Sequence, residues 1–298
     1  RCITISAIPG IAGLSPILKA INFSEKLLIA NKEAVICGWD LIKKKAKKNK
    51  TKLIPIDSEH YSILKLLENQ NLDNVNKIYL TASGGPFLNF KPKNLKFITP
   101  KQALQHPKWK MGKKISVDSS TLMNKVFEIV EAQKIFDIPY DKLDIIIHPN
   151  SLVHAILELK NGLKKLIYHD TSMKIPLANA IFDGKLEIDN FLKKKNNKKF
   201  QDLLFRKVDK KVFPCFFLKH EMNRYPSTAI IVNASNEVLV DQFLSKKIQF
   251  LDIYKIIKMI LKDANYKKYA IRKPKNIKQI YQIDLWARNL TLKKILKD

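Results

Sequence analysis

The chain has 298 residues, 46% of them hydrophobic, which is enough for a substantial core and roughly two domains by length. Its formal charge is +28, yet the lysines fall in almost every segment instead of gathering on one face; Lys43 to Lys48 and Lys193 to Lys199 read as solvated edges, and this argues against a nucleic-acid partner. Cys2, Cys37 and Cys215 have neither paired nor metal-type spacing, and no apolar run approaches the ~20 residues of a membrane span, so the expectation is a cytoplasmic protein with no membrane partner.

Arg1 leads straight into a strand-like Cys-Ile-Thr-Ile-Ser-Ala-Ile, an abrupt start that suggests further sequence upstream. Residues 3 to 8 alternate and are rich in β-branched side chains, and Pro9-Gly10-Ile11-Ala12-Gly13 turns the chain into a helix ending near Asn22. Lys26 to Ala30 and Lys52 to Ile56 read as buried strands, with Lys32 to Lys45 a helix between them. This alternation implies a parallel, doubly wound sheet. No Gly-x-Gly-x-x-Gly occurs anywhere, so residues 1–56 are expected to form only the later part of a dinucleotide-binding domain.

The third strand runs into Asp57-Ser58-Glu59-His60. On an extended backbone residues two apart face the same way, which would bring Asp57 and Glu59 together; alternatively Asp57 or Ser58 caps a helix beginning near Glu59. Converging carboxylates need a cation, a proton or a solvated loop, and hard oxygen donors without a Cys or His cluster favour Mg²⁺ or Mn²⁺ over zinc. Lys77 to Thr81 is the next strand. Ser83-Gly84-Gly85-Pro86 after it reads either as a phosphate cradle or as a plain turn.

His106 to Gly112 holds Trp109 and Met111 among lysines, a loop able to lay apolar side chains over an anion. Asp118, Ser119 and Ser120 then carry cap chemistry for a helix whose buried stripe is Leu122, Val126, Ile129 and Val130. Ser119, Asn124, Lys125 and Glu128 would lie near its N-terminal turns, with Thr121, Asn124, Lys125 and Glu128 on one face. Such a face suits a phosphate beside a metal, and equally a solvated polar surface.

Ile145 to Ile147 and Leu152 to Glu158 read as strands of a mixed sheet, and His148 and His154 as core or supporting histidines without an acid partner. Asn190 to Phe200 has linker composition. Lys211 to Asn223, Ser227 to Phe243, Asp252 to Leu261 and Ile277 to Leu296 have helical periodicity, the second interrupted by Asn233-Ala234-Ser235-Asn236-Glu237. The fold expected is α/β: a partial doubly wound domain over 1–56, an α/β catalytic domain over 57–189, a linker over 190–210 and a C-terminal helical domain over 211–298.

Leu-Ile-Ala-Asn-Lys-Glu from Leu28, Pro-Ile-Asp-Ser-Glu-His from Pro55, Ser-Gly-Gly-Pro-Phe from Ser83, His-Pro-x-Trp-x-Met-Gly-x-Lys-Ile-Ser-Val-Asp-Ser from His106 and Met-Asn-Lys from Met123 occur together and in this order. As a set they resemble the 1-deoxy-D-xylulose 5-phosphate reductoisomerases, NADPH-dependent enzymes of the non-mevalonate isoprenoid pathway, from about Ile3 to the C-terminal helices. The resemblance implies Asp57, Glu59 and Glu128 as ligands of Mg²⁺ or Mn²⁺. It implies Ser83, Ser119, Asn124 and Lys125 at the substrate phosphate, Ser58 and His106 near the substrate, and Lys32, Glu59 and His106 in the chemistry. Trp109 and Met111 match a closing lid, Asn31, Glu33 and Gly112 match NADPH contacts, and Met173 matches the nicotinamide pocket. The reaction implied remakes a carbon–carbon bond of a phosphosugar and then reduces the aldehyde to 2-C-methyl-D-erythritol 4-phosphate, usually in a homodimer.

The sequence departs from the family at two places. The Gly-rich turn of the N-terminal half-domain does not occur here, so the chain is expected to bind the metal ion but to turn over NADPH poorly. Thr171-Ser172-Met173-Lys174 stands where relatives have Pro-Asp-Met-Arg. These departures keep open a catalytically impaired fragment of the enzyme and a reductase for another phosphosugar. A basic nucleic-acid-binding protein is the reading from another class, against which three convergent acids would repel phosphate.

Overall fold

The structure is a computed structural model that describes residues 1–188 and 202–296. The first sheet is wholly parallel, ordered β1-β2-β3, from β1 (Cys2–Ser6), β2 (Ser24–Ile29) and β3 (Lys52–Pro55). Helix α1 (Leu14–Ala20) crosses from β1 to β2, and α2 (Lys32–Asn49) from β2 to β3. Asn31 starts α2 by accepting the Ala34 N–H at 2.7 Å. The helix kinks at Gly38, where φ is −133° and a Cβ would stand 2.5 Å from Leu14 Cδ1. Leu14 of α1 thus packs into the space that a side chain at this position of α2 would occupy. Ile3 and Ile5 on the edge strand β1 are 43% and 47% exposed.

After β3, α3 (Ser58–Leu67) leads to β4 (Val75–Ala82), the central strand of a mixed sheet ordered β5-β4-β6-β7. Between β4 and β5 lie a short helix, α4 (Pro100–Ala103), then α5 (Lys113–Thr121) and α6 (Met123–Phe136). β5 (Leu143–Ile147) runs parallel to β4, whereas β6 (Val153–Leu159) is antiparallel to it. β7 (Lys164–Tyr168) closes a hairpin with β6, a strand not expected from sequence, although Asn161-Gly162 supplies the turn. Helix α7 (Lys174–Phe182) sets Ala180 against Leu28 and Ile54, on the face of the first sheet that the main core leaves free.

The linker expectation at 190–201 lies outside the described residues. Residues 202–210 are described, and Arg206 exchanges both backbone hydrogen bonds with Ile147 at 2.9 Å, so this part of the stretch is fastened to β5. The expected helix at Lys211 to Asn223 is shorter, a 3₁₀ turn over Pro214–Leu218 followed by α8 (Lys219–Met222). Then come α9 (Thr228–Leu244), α10 (Asp252–Leu261), α11 (Tyr266–Ala270) and α12 (Ile277–Ile295). Helices α9, α10 and α12 share one continuous core with α2 and α6. Among the described residues no helix is long and apolar enough to cross a membrane.

One sequence expectation fails at the centre of the molecule. Asp118, Ser119 and Ser120 do not cap a helix; they lie within α5, and the break comes at Leu122, buried with φ +67°. Ser119 therefore sits in the last turn of one helix while Asn124 and Lys125 sit in the first turn of the next. The helix dipole that was expected to favour an anion at Ser119 does not point that way. Thr121 likewise belongs to α5 and shares no helix face with Asn124 and Glu128.

Candidate active site

Three strands end at the same place. Lys32 follows β2, Asp57 follows β3 and Ser83 follows β4, so strand C-termini deliver the polar side chains, as open α/β sheets commonly do. They line a cavity of about 260 Å³ with Ser58, Glu59, His106, Trp109, Met111, Ser119, Asn124, Lys125, Glu128 and Met173.

Asp57, Glu59 and Glu128 each offer an oxygen within 4.8 Å of the others. The means differs from the strand alternation expected: Asp57 stands at the N-cap position of α3 without a capping bond, and Glu59 is in that helix's first turn. Two ammonium groups are set among these acids. Lys32 Nζ donates to Asp57 Oδ2 at 3.1 Å, to Glu128 Oε1 at 3.0 Å and to Asn124 Oδ1 at 2.8 Å. Lys125 Nζ donates to Glu59 Oε1 and, at 2.6 Å, to Glu128 Oε2. Ser58 Oγ donates to Glu59 Oε2 at 2.6 Å.

Burial together with repulsion from Glu128 and Asp57 pushes the Glu59 carboxyl up to about 8, Lys125 offsetting only part of this. Burial also disfavours charge on Asp57, but Lys32 and then His60 outweigh it and hold the group well below the usual carboxylate range. Lys32, despite burial, is held above the ordinary lysine value by Asp57 and Glu128. A set of hard oxygen donors with one proton to lose suits a small divalent cation.

Elsewhere in the cavity lining, His106 Nδ1 accepts the Trp109 N–H at 2.9 Å and the Lys108 N–H at 3.2 Å. A nitrogen that accepts two backbone donors carries no proton, so Nε2–H donates to Ser83 Oγ at 2.9 Å. Burial and the Lys125 charge lower the ring's pKa to about 4, keeping this tautomer neutral. Gly85 lies behind Ser83 at φ +58°, and a Cβ there would stand 3.2 Å from Ser119 O. Glycine thus allows the Ser83 turn to touch the end of α5.

Of the four residues matched to NADPH contacts, one lines the cavity and three stand outside its lining. Met173 lines the cavity. Asn31 is buried and donates to Gly10 O at 3.0 Å and to Ile8 O, while Glu33 pairs with Lys114 at 2.7 Å. Gly112 is exposed at the start of α5.

Sequence reasoning missed two groups behind the acids. His60 Nε2–H reaches Glu128 O at 3.1 Å and lies 3.4 Å from Glu131 Oε2, and Asp57, His60 and Glu131 also place ligand atoms within 4.8 Å of one another. Burial raises the Glu131 carboxyl well above its ordinary value. The available signal was an acid one turn after Glu128 on a helix otherwise apolar at that level. His154 also lines the cavity, its ring stacked 3.9 Å from His169 and edge-on to Trp109.

Residues 2–38 match the family described as 1-deoxy-D-xylulose 5-phosphate reductoisomerase, residues 53–136 its C-terminal domain, and residues 170–290 the DXP reductoisomerase C-terminal domain. A 1-deoxy-D-xylulose 5-phosphate reductoisomerase of Pelagibacter ubique is 46% identical over 285 residues, covering 94% of this chain and 72% of the relative. That of Thermodesulfovibrio yellowstonii is 40% identical, covering 98% and 76%. A crystal structure of DOX-P reductoisomerase with NADPH, fosmidomycin and magnesium superposes with a TM-score of 0.90 at 32% identity, covering 99% of this chain and 76% of that one. The Zymomonas mobilis enzyme in complex with NADPH gives 0.84 at 31% identity, covering 98% and 75%.

Proposed function

The chain belongs to the 1-deoxy-D-xylulose 5-phosphate reductoisomerase family, and from that premise we propose how its residues share the work of rearranging 1-deoxy-D-xylulose 5-phosphate and reducing the product to 2-C-methyl-D-erythritol 4-phosphate. The observation that carries the assignment is the convergence of Asp57, Glu59 and Glu128 in a cavity that Ser83 and His106 also line. Asp57, Glu59 and Glu128 hold Mg²⁺ or Mn²⁺, which when bound polarises the substrate's carbonyl and adjacent hydroxyl. Lys32 and Lys125 balance the carboxylates and orient them. Ser83, Ser119, Asn124 and Lys125 take the phosphate, and the Ser83–His106 bond fixes the donor geometry at that end.

Trp109 and Met111 close over the substrate and exclude water, so that charge separation at the reacting carbons is not dissipated. Lys32, held protonated by three oxygen acceptors, would stabilise charge as the carbon–carbon bond is remade, and Glu59 would act there through the metal ion it holds. NADPH supplies the hydride when bound. Met173, 40% exposed and lining the cavity, would offer the nicotinamide an apolar face, while Asn31 caps α2, Glu33 lies in its first turn and Gly112 precedes α5. The nicotinamide end of the cofactor therefore fits the residues present. The sequence contains no glycine-rich turn for the pyrophosphate.

The reading further takes the protein to be a cytoplasmic homodimer whose partner molecule is the phosphosugar, with no nucleic-acid role. It is tested on the complete gene product with 1-deoxy-D-xylulose 5-phosphate, NADPH and Mn²⁺, following absorbance at 340 nm and identifying the product by NMR. Substrate-dependent NADPH loss with formation of 2-C-methyl-D-erythritol 4-phosphate is expected. A folded, Mn²⁺-binding protein that consumes no NADPH with this substrate would overturn it.

A further inference from the structure

The polar interruption Asn233 to Glu237 of α9 has no part in the site described above, yet it lies in the most buried stretch of the helical region. Asn236 is fully buried, and its Nδ2 donates to Asp118 Oδ1 on α5 at 2.7 Å. Asp118 is itself buried, and its other oxygen lies 2.8 Å from Lys114 Nζ one turn earlier. Lys114 Nζ lies 2.7 Å from Glu33 Oε1 and 5.3 Å over the ring of Phe127. Glu33 adjoins Lys32, and Phe127 adjoins Glu128. A single line of contacts thus runs from the C-terminal helices to both neighbours of the Lys32–Glu128 pair.

Lys114 is also the second residue of α5, just beyond Gly112, where the 106–112 loop ends. A Cβ on Gly112 would meet nothing within 4 Å, so the backbone there has room to pivot. The loop's other end is held by the His106–Ser83 bond. The loop is therefore held at both ends, and its second anchor is only as firm as the hold on Lys114.

We propose that Asn236 is a positioning residue for closure of the 106–112 loop, acting through Asp118 and Lys114. The amide fixes the rotamer of a buried carboxylate, and that carboxylate fixes the lysine between α2, α5 and α6. Without the amide, Asp118 Oδ1 loses its donor and the carboxylate is free to rotate, carrying with it the Lys114 ammonium paired to its other oxygen. This rests on the reading of Trp109 and Met111 as groups that cover the substrate.

The test compares Asn236→Leu, which keeps the volume without the donor, with the wild-type complete gene product. The expected result is a KM for the phosphosugar raised about tenfold with kcat within about threefold, and faster amide hydrogen exchange over 106–116. Mn²⁺ affinity, read by electron paramagnetic resonance, stays unchanged. Lys114→Met is expected to speed loop exchange similarly, and the double variant to add little beyond either single change. If Asn236→Leu does not fold, Asp118→Asn, with nearly the same shape, takes its place under the same readings. A lowered melting temperature with unaltered KM and unaltered loop exchange would overturn the proposal, and so would additive effects of the two substitutions. Altered loop exchange in a protein that does not act on the phosphosugar would instead sink the functional reading on which it rests.

Discussion

Lys32 and Glu128 are separated by 96 residues yet meet at 3.0 Å inside the protein, ammonium on carboxylate. Glu128 also accepts from Lys125 at 2.6 Å, so one acid answers two buried cations. Glu128→Gln keeps the shape and removes that charge, leaving each lysine a single acid. The expected outcome is a loss of about 2 to 4 kcal/mol of stability, since breaking a buried pair strands its partner. Mn²⁺ affinity should fall by at least about 100-fold, more than is usual for loss of a group that only supports a ligand. Thermal melting and paramagnetic-resonance titration measure the two effects, and wild-type Mn²⁺ binding in the variant would remove Glu128 from the proposed metal site.

The high pKa of Glu59 gives the metal-free protein a distinctive pH response. Glu59 titrates near 8 when folded against an ordinary 4.5, so between those values the folded state holds a proton that the unfolded state has released, and stability falls as pH rises. Glu131 works in the same direction. His60, His106 and His154 are held below the ordinary 6.5 by burial, which gives the opposite slope, but only beneath that value. From about pH 6.5 to 8 the acids therefore act alone among these groups. The melting temperature of metal-free protein should decline across that window. Saturating Mg²⁺, by displacing the Glu59 proton, should flatten the decline. An identical decline with and without the metal ion would contradict this assignment of the proton.

How much of this was legible in the sequence depended on where each determinant lay. Helices α10 and α12 emerge from periodicity alone because each presents one apolar stripe to a core that covers it. The parallel first sheet emerges from the alternation of buried strands and helices. The break at Leu122 did not, since no glycine or proline announces it: a buried leucine holds a left-handed backbone because the packing of α5 and α6 demands it. The His60–Glu131 contact joins α3 to α6, and the Asn236–Asp118 contact joins α9 to α5. Spacing within one segment carries no trace of either. Motif resemblance named residues whose neighbours only the tertiary structure supplies.

Ser83→Ala removes the acceptor of His106 Nε2–H while leaving the ring pinned through Nδ1 to Lys108 and Trp109. With the hydroxyl lost, the ring keeps only its Nδ1 contacts and the substrate phosphate loses one donor. The KM for the phosphosugar is expected to rise about tenfold, roughly 1.4 kcal/mol, with a smaller change in kcat. Proton NMR of the wild-type protein should show the His106 ring neutral until the pH approaches about 4. A ring that titrates near 6.5, or a KM unmoved by the substitution, would detach this pair from substrate binding.

Two glycines near the site make opposite predictions. Gly85 has φ +58°, and a Cβ there would stand 3.2 Å from Ser119 O and 3.3 Å from Ser120 Cα, backbone atoms that cannot rotate aside. Gly85→Ala should therefore cost about 1 to 3 kcal/mol, combining left-handed backbone strain with the clash. By moving the Ser83 turn away from Ser119, it should also weaken inorganic phosphate binding several-fold. Gly112 has φ −62° and open space around the missing Cβ, so Gly112→Ala should leave stability the same or raise it by a few tenths of a kcal/mol. Because the added methyl narrows the pivot at the loop's end, its effect belongs in the rate of closure over the substrate, seen as a slower Trp109 fluorescence change on mixing with the phosphosugar. Equal melting temperatures for the two alanine variants would show that the Ser83 turn does not need to approach α5 so closely.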